Sequence, residues 1–233
     1  MNFPDALFPQ AWALGAWLPL LAAWAWCLRT APWRRLAVPG LSNVWLGAVV
    51  MLMLVWSMKA GVKPGLDLHL LGATLLTLMF GPQLAIAAFS LVLAGATLNA
   101  ELLGHPMALA YALNALVLAV FPVLAAEAIR RAMERWLRPN IFVYVFVAGF
   151  FGAALTVMST GVFACGLLWM AGVYPAPVLF NDYLPYYFLL GFAEAWLNGA
   201  LITLMVVYLP SWVGSFDDRR HLAPTASDSA RRT

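Results

Sequence analysis

Imidazole and carboxylate side chains stand at the edges of two apolar segments of this sequence. Asp67 and His69 begin one apolar run, and Glu101 and His105 follow the end of the next. Imidazole, carboxylate and a free amine together suit a borderline divalent metal ion such as Ni, Co, Cu or Zn. Simpler roles stay open: Asp67 as the N-cap of a helix, His69 as a capping or solvated residue, and His105 as a loop residue.

One carboxylate lies in the middle of an apolar segment. Glu194 stands four residues before Asn198, so the two side chains share one face of a helix. A charged group at mid-membrane costs about 3 kcal/mol on insertion scales, unless it is paired or lines a cavity. Glu194 therefore either pairs with Asn198 or, with Glu101, lies beside the metal ligands or on the path of the ion.

The composition predicts an integral membrane protein. Of 233 residues, 64% are hydrophobic and 10% charged, whereas soluble domains have about 25% charged residues. Ala, Leu and Gly dominate and strand-like alternation is absent, which favours helices over a barrel. A cleavable signal peptide has basic residues before its apolar stretch, whereas the first basic residue here, Arg29, follows it. We therefore expect the chain to keep Met1.

Other classes of function find no support in the sequence. Cys27 and Cys165 lie in separate apolar runs, which indicates neither a disulfide framework nor a zinc site. No Walker motif is present, and we expect no cofactor apart from a metal ion as substrate. The net charge of +3 implies no nucleic-acid partner.

Seven apolar segments predict an all-α, polytopic bundle of about seven transmembrane helices. Each segment is near the ~20 residues that span hydrocarbon. They cover residues 12–28, 43–58, 67–80, 84–100, 107–129, 141–173 and 183–209. The sixth is too long for an upright helix, so it is either tilted or broken around residues 159–161. Residues 1–213 form the membrane domain, and residues 214–233 form a short polar cytoplasmic tail, disordered beyond Leu222.

The basic residues predict the orientation. Eleven of the 13 lie in the loops after segments one and five and in the tail, whereas Lys59 and Lys63 follow segment two. With seven spans, these eleven basic residues all lie on one side of the membrane. The positive-inside rule assigns that side to the cytoplasm. We therefore expect a multi-pass protein of the bacterial inner membrane. The N-terminus is then outside. The polar candidates collect toward that outer face: Met1, Asn2, Asp67, His69, Glu101, His105 and, somewhat deeper, Glu194 and Asn198.

Three separated stretches resemble the CbiM/NikM-type substrate-binding membrane proteins of energy-coupling-factor (ECF) transporters for cobalt and nickel. Residues 1–14 resemble the family's Met-His-Ile-Pro-Glu start and its entry into the first helix. His69 precedes Phe-Gly-Pro by eleven residues, the spacing of the family's metal-binding His. Residues 192–203 resemble its last helix.

The resemblance implies that the N-terminus folds into the bundle, where the Met1 amine, residue 2 and His69 bind the metal. Here position 2 is Asn instead of the family's His. Either the metal differs, or Asp67, His105 or Glu101 replaces the missing ligand, or no metal is bound. The family also implies a transmembrane coupling protein and cytoplasmic ATPases as partners.

Two other functions compete with metal import. An intramembrane metal-dependent hydrolase would use Asp67, His69 and Glu194, but no HExxH motif or nucleophile–base pair is present. We therefore predict that the chain is not an enzyme. The second competing function is that of a membrane assembly or scaffolding protein, which has the same fold but has lost metal transport.

Overall fold

The computed structural model describes residues 2–63 and 66–222, which form a bundle of helices with one small hairpin. The principal helices are α1 (Gln10–Thr30), α2 (Leu41–Ser57), α3 (Ala73–Phe80), α4 (Pro82–Leu102), α5 (Tyr111–Trp136), α6 (Ile141–Met170) and α7 (Val178–Tyr208). Short helical turns cover Asp5–Leu7, Trp33–Leu36, Pro210–Trp212 and Asp218–His221. The antiparallel strands β1 (Ala60–Lys63) and β2 (Leu66–Leu68) follow α2, with Gly61 opposite Asp67.

The helix lengths confirm a multi-pass membrane protein. Within the described residues, five helices (α1 and α4–α7) are long and apolar enough to cross a membrane. Helix α2 is apolar but has 17 residues, and α3 has only 8. Eight residues rise about 12 Å, well short of the ~30 Å hydrocarbon thickness. Helix α3 therefore cannot cross a membrane by itself.

The third apolar segment differs from its prediction. A helix from Asp67 was predicted, but Asp67 lies in β2 and the helix begins at Ala73. Pairing with β1 satisfies the backbone here, and Gly72, the actual N-cap, has a φ of 72°, which disfavours side-chain-bearing residues. The N-cap role considered for Asp67 is therefore wrong, and the all-α fold includes one hairpin.

The sixth segment is a continuous helix, so the predicted alternative of a break around residues 159–161 is wrong. Residues Tyr144–Phe151 are π-helical and the α-helix continues through Gly152–Met170. Gly161 serves packing instead: a Cβ there would stand 2.4 Å from the ring of Tyr187 on α7. Close contact between α6 and α7 thus requires glycine at this position.

The loops rich in arginine meet at one end of the bundle. Arg35, after α1, donates to the carbonyl of Trp212 at 3.3 Å, and Arg220 lies 3.8 Å from Glu134 at the end of α5. Lys59 belongs to the opposite end, where it pairs with Asp67 of the hairpin at 3.3 Å. The two groups of basic residues therefore lie at opposite ends of the fold.

The described part of the predicted tail, residues 214–222, packs against the arginine-rich end. Gly214 N–H donates to the carbonyl of Met79 (2.9 Å), and the Ser215 hydroxyl donates to that of Leu78 (2.8 Å), so both bind the end of α3. His221 is buried and stacks on Phe216. The disorder predicted beyond Leu222 concerns residues 223–233, which lie outside the described residues.

Candidate metal centre

The N-terminal segment is bound inside the bundle by one carboxamide of α5. Asn114 accepts a hydrogen bond from Phe3 N–H (2.7 Å) and donates one to the Phe3 carbonyl (2.9 Å). Asp5 accepts from Ala110 N–H at 2.8 Å, and Phe3 is fully buried. The preceding residue, Asn2, is consequently only 5% exposed. Met1 lies outside the described residues.

His69 presents one ring nitrogen that is ready to bind a metal ion. The side chain is 2% exposed, and its Nδ1 lies 3.1 Å from the carbonyl of Leu70. A carbonyl can only accept, so Nδ1 carries the proton and Nε2 keeps its lone pair. Nε2 has no hydrogen-bond partner among the described residues. A histidine whose other nitrogen donates to a carbonyl is the usual arrangement of a metal ligand.

Asn2 supplies a second buried electron-pair donor. Its Oδ1, like Nε2 of His69, lacks a hydrogen-bond partner within residues 2–63 and 66–222. Buried polar atoms are almost always paired, so two unpaired acceptors need an explanation. Trp56 connects them: its ring lies 4.6 Å from the His69 ring, and it lines a cavity of about 240 Å³ with Asn2. The two acceptors therefore suit a bound cation.

Helix α7 fixes the loop that carries His69. The Glu194 carboxylate accepts hydrogen bonds from the backbone N–H groups of Leu71 and, at 3.0 Å, Gly72. Asn198 accepts from Leu75 N–H (2.9 Å) and donates to Glu194 (2.7 Å). Leu71 and the N-cap Gly72 directly precede α3 and Leu75 lies in its first turn, where no side chain of α3 itself caps the helix. Glu194 and Asn198 thus pair with each other and with backbone.

The other predicted ligands lie further out. Asp67 forms the ion pair with Lys59, and Glu101 accepts from the N–H groups of Met107 (2.6 Å) and Ala108 (2.8 Å). His105 is exposed and lines the cavity with Asn2. Among the described residues, no three His, Cys, Asp or Glu side chains come close enough to hold a metal ion. The structure therefore places Trp56 against the His69 ring and in one cavity with Asn2 and His105.

Sequence reasoning missed two residues of this site. Asn114 is fully buried in α5, and a lone carboxamide in an apolar segment was a signal that could have found it. Trp56 is 1% exposed and is one of 11 tryptophans. Nothing in the sequence separates it from the others, because only the fold places it beside His69.

Fold and site define the class: a multi-pass helical membrane protein in which buried acceptors without a partner among the described residues lie where the N-terminal segment enters the bundle. The chain belongs to the CbiM family, described as the cobalt uptake substrate-specific transmembrane region, whose family model matches residues 2–212. It is thus a membrane component of cobalt- or nickel-type metal uptake and not an enzyme, as predicted. No curated protein sequence matches it significantly.

Two solved structures share this fold. One, described as a truncated transition metal transporter, is 14% identical, with a TM-score of 0.66 over 89% of this chain and 99% of that one. The other, described as a transition metal transporter, is 18% identical, with a TM-score of 0.65 over 89% of this chain and 93% of that one. At these identities the likeness concerns the fold.

Proposed function

We propose that this chain is the substrate-capturing component of an ECF-type importer for a divalent transition metal ion, in the bacterial inner membrane. The ion binds at the outer face and is released inward when the bundle moves, driven by a transmembrane coupling protein and cytoplasmic ATPases. One observation carries the proposal. His69 and Asn2 present buried acceptors, Nε2 and Oδ1, that lack a partner in the described chain.

The ligand set follows from the chemistry of these atoms. His69 supplies an imidazole nitrogen, Asn2 a carboxamide oxygen, and the Met1 amine, with His105, completes the set. Nitrogen and oxygen donors of this kind suit Co(II) and Ni(II) better than a soft ion such as Cu(I). The oxygen of Asn2 stands where the family has an imidazole, so this site has fewer nitrogen donors.

Seven crossings with the N-terminus outside are supported by the third segment. Residues 66–68 form β2, residues 69–72 have no regular secondary structure, and the eight residues of α3 follow. Asp67 pairs with Lys59 at one end of the bundle, and the carbonyls at the end of α3 bind Gly214 and Ser215 at the arginine-rich end, so residues 67–80 connect the two ends. The hairpin then lies outside and the arginine-rich end in the cytoplasm, in line with the positive-inside rule.

The test is metal binding by the purified protein with an unblocked N-terminus. Isothermal titration calorimetry with Ni, Co, Zn and Cu should show binding that His69→Ala abolishes, because Nε2 is the central donor. His221→Ala is the matched control, since His221 is buried at the opposite end of the bundle. An extension before Met1 should abolish binding as well.

Unchanged binding in His69→Ala would refute the site. A wild-type chain that binds none of these ions would favour the assembly or scaffolding protein instead. ATP-dependent metal uptake by vesicles that contain the chain with coupling protein and ATPases tests the partners.

A further inference from the structure

Two hydrogen-bond donors at or beside the cavity that Asn2 lines are also buried without a partner in the described chain. Trp56 is 1% exposed and Thr97 is 7% exposed, and neither Nε1 of Trp56 nor Oγ1 of Thr97 has a partner among the residues described. An indole N–H only donates, so it cannot bind a metal ion. Trp56 therefore needs an acceptor that the metal ion alone does not provide.

Thr97 departs from the behaviour of other hydroxyls in these helices. Ser57, Ser90 and Thr203 each donate to the carbonyl four residues earlier, at 2.6 to 2.9 Å. Thr97 makes no such bond within the described chain. It lies one helical turn before Ala100, which lines the same cavity as Trp56. Its hydroxyl is thus available to a group at that level of the bundle.

The cavity is rich in donors and larger than an ion requires. Its polar lining consists of Asn2, Trp56, Ser57, Lys59, Asn99 and His105, and no described carboxylate lines it. Its volume is about 240 Å³, whereas one water occupies about 30 Å³ in the liquid. The donors, together with the Lys59 ammonium that also pairs with Asp67, suit an electron-rich oxygen bound to the cation.

We propose that the substrate is a metal ion that carries an oxygen ligand, and that Trp56 and Thr97 donate hydrogen bonds to this oxygen. The inference rests on the proposed function, because the ion itself is bound by His69 and Asn2. The oxygen belongs either to water or to the carboxylate of a small chelator.

The test removes one N–H group and keeps the ring. Trp56→Phe retains an aromatic ring against His69 and Phe89 but no longer donates. We expect Co(II) affinity to fall about tenfold, equivalent to about 1.4 kcal/mol, and the visible d–d bands of bound Co(II) to shift. Trp45→Phe is the matched control: it also loses a buried indole hydrogen bond, to Leu84 at 3.1 Å, at the opposite end of α2.

Unchanged affinity and an unchanged Co(II) spectrum in Trp56→Phe would overturn the proposal, as would equal effects in Trp45→Phe. Thr97→Val, which keeps the side-chain shape, should weaken Co(II) binding in the same direction. If His69→Ala still binds metal, the proposed function fails and this inference fails with it. If His69→Ala abolishes metal binding while Trp56→Phe and Thr97→Val bind Co(II) normally, this inference fails and the proposed function stands.

Citrate distinguishes the two sources of the oxygen. If the ligand is water, citrate lowers the affinity of the wild-type chain for Co(II) as far as simple competition requires. If it is a carboxylate, the chain binds Co(II) in citrate more tightly than competition allows, and Lys59→Met abolishes the gain.

Discussion

Glu194→Gln tests whether α7 positions the loop that carries His69. The carboxylate is 1% exposed and binds the N–H groups of Leu71 and Gly72 as well as the carboxamide of Asn198. Glutamine has the same shape but only one acceptor oxygen. Its NH₂ group must face either Asn198 Nδ2 or the backbone N–H groups, which are donors too.

The magnitude follows from the bonds that are lost. A hydrogen bond to a charged group contributes about 1.5–3 kcal/mol, so the loss of one in Glu194→Gln costs about 2 kcal/mol. If this energy holds the loop of His69 in its binding conformation, Glu194→Gln lowers the fraction of molecules in that conformation. The apparent metal affinity then drops up to about thirtyfold. The free energy of unfolding should fall by about the same amount.

Calorimetry measures the affinity, and thermal unfolding in detergent measures the stability. Glu127→Gln is the matched control, because Glu127 is another buried carboxylate, bonded to Arg130 and Arg131 toward the arginine-rich end. It should lower stability and leave metal affinity unchanged. If Glu194→Gln behaves in the same way as this control, Glu194 only stabilises the bundle and our account of the loop is wrong.

Two further predictions concern the N-terminus and the packing of α6. Asn114→Leu leaves the buried N–H and carbonyl of Phe3 unpaired, at about 2 kcal/mol, and calorimetry should show weaker metal binding; normal affinity would separate the N-terminus from the site. Gly161→Ala places a Cβ 2.4 Å from Tyr187, so the thermal unfolding temperature should fall by an amount that reflects about 1–3 kcal/mol. Gly166→Ala is its control, because a Cβ there meets no described atom within 4 Å, and an equal loss in both variants would contradict the packing argument.

The third segment shows where sequence reasoning stopped. The sequence shows the apolar character of this segment, its proline and the spacing from His69 to Phe-Gly-Pro. These features led to the family that the chain belongs to. The start of the helix could not be predicted from the sequence, because residues 66–68 form a strand only by pairing with β1. Local propensity cannot reveal a partner strand, nor can it show that the caps of α3 come from α7.

The sequence by itself determined the membrane-embedded helical class and the separation of basic residues, and it predicted a metal-binding role for Asn2 and His69. These follow from composition, charge order and spacing, which act along the chain. Only the tertiary structure decided that Asn114 binds the N-terminal segment, that Glu194 and Asn198 bind backbone, and that Trp56 lies against His69. The bonds from Asn114 to Phe3, from Glu194 to Leu71 and Gly72, and from Asn198 to Leu75 each join groups more than 100 residues apart, so they exist only once the helices have packed.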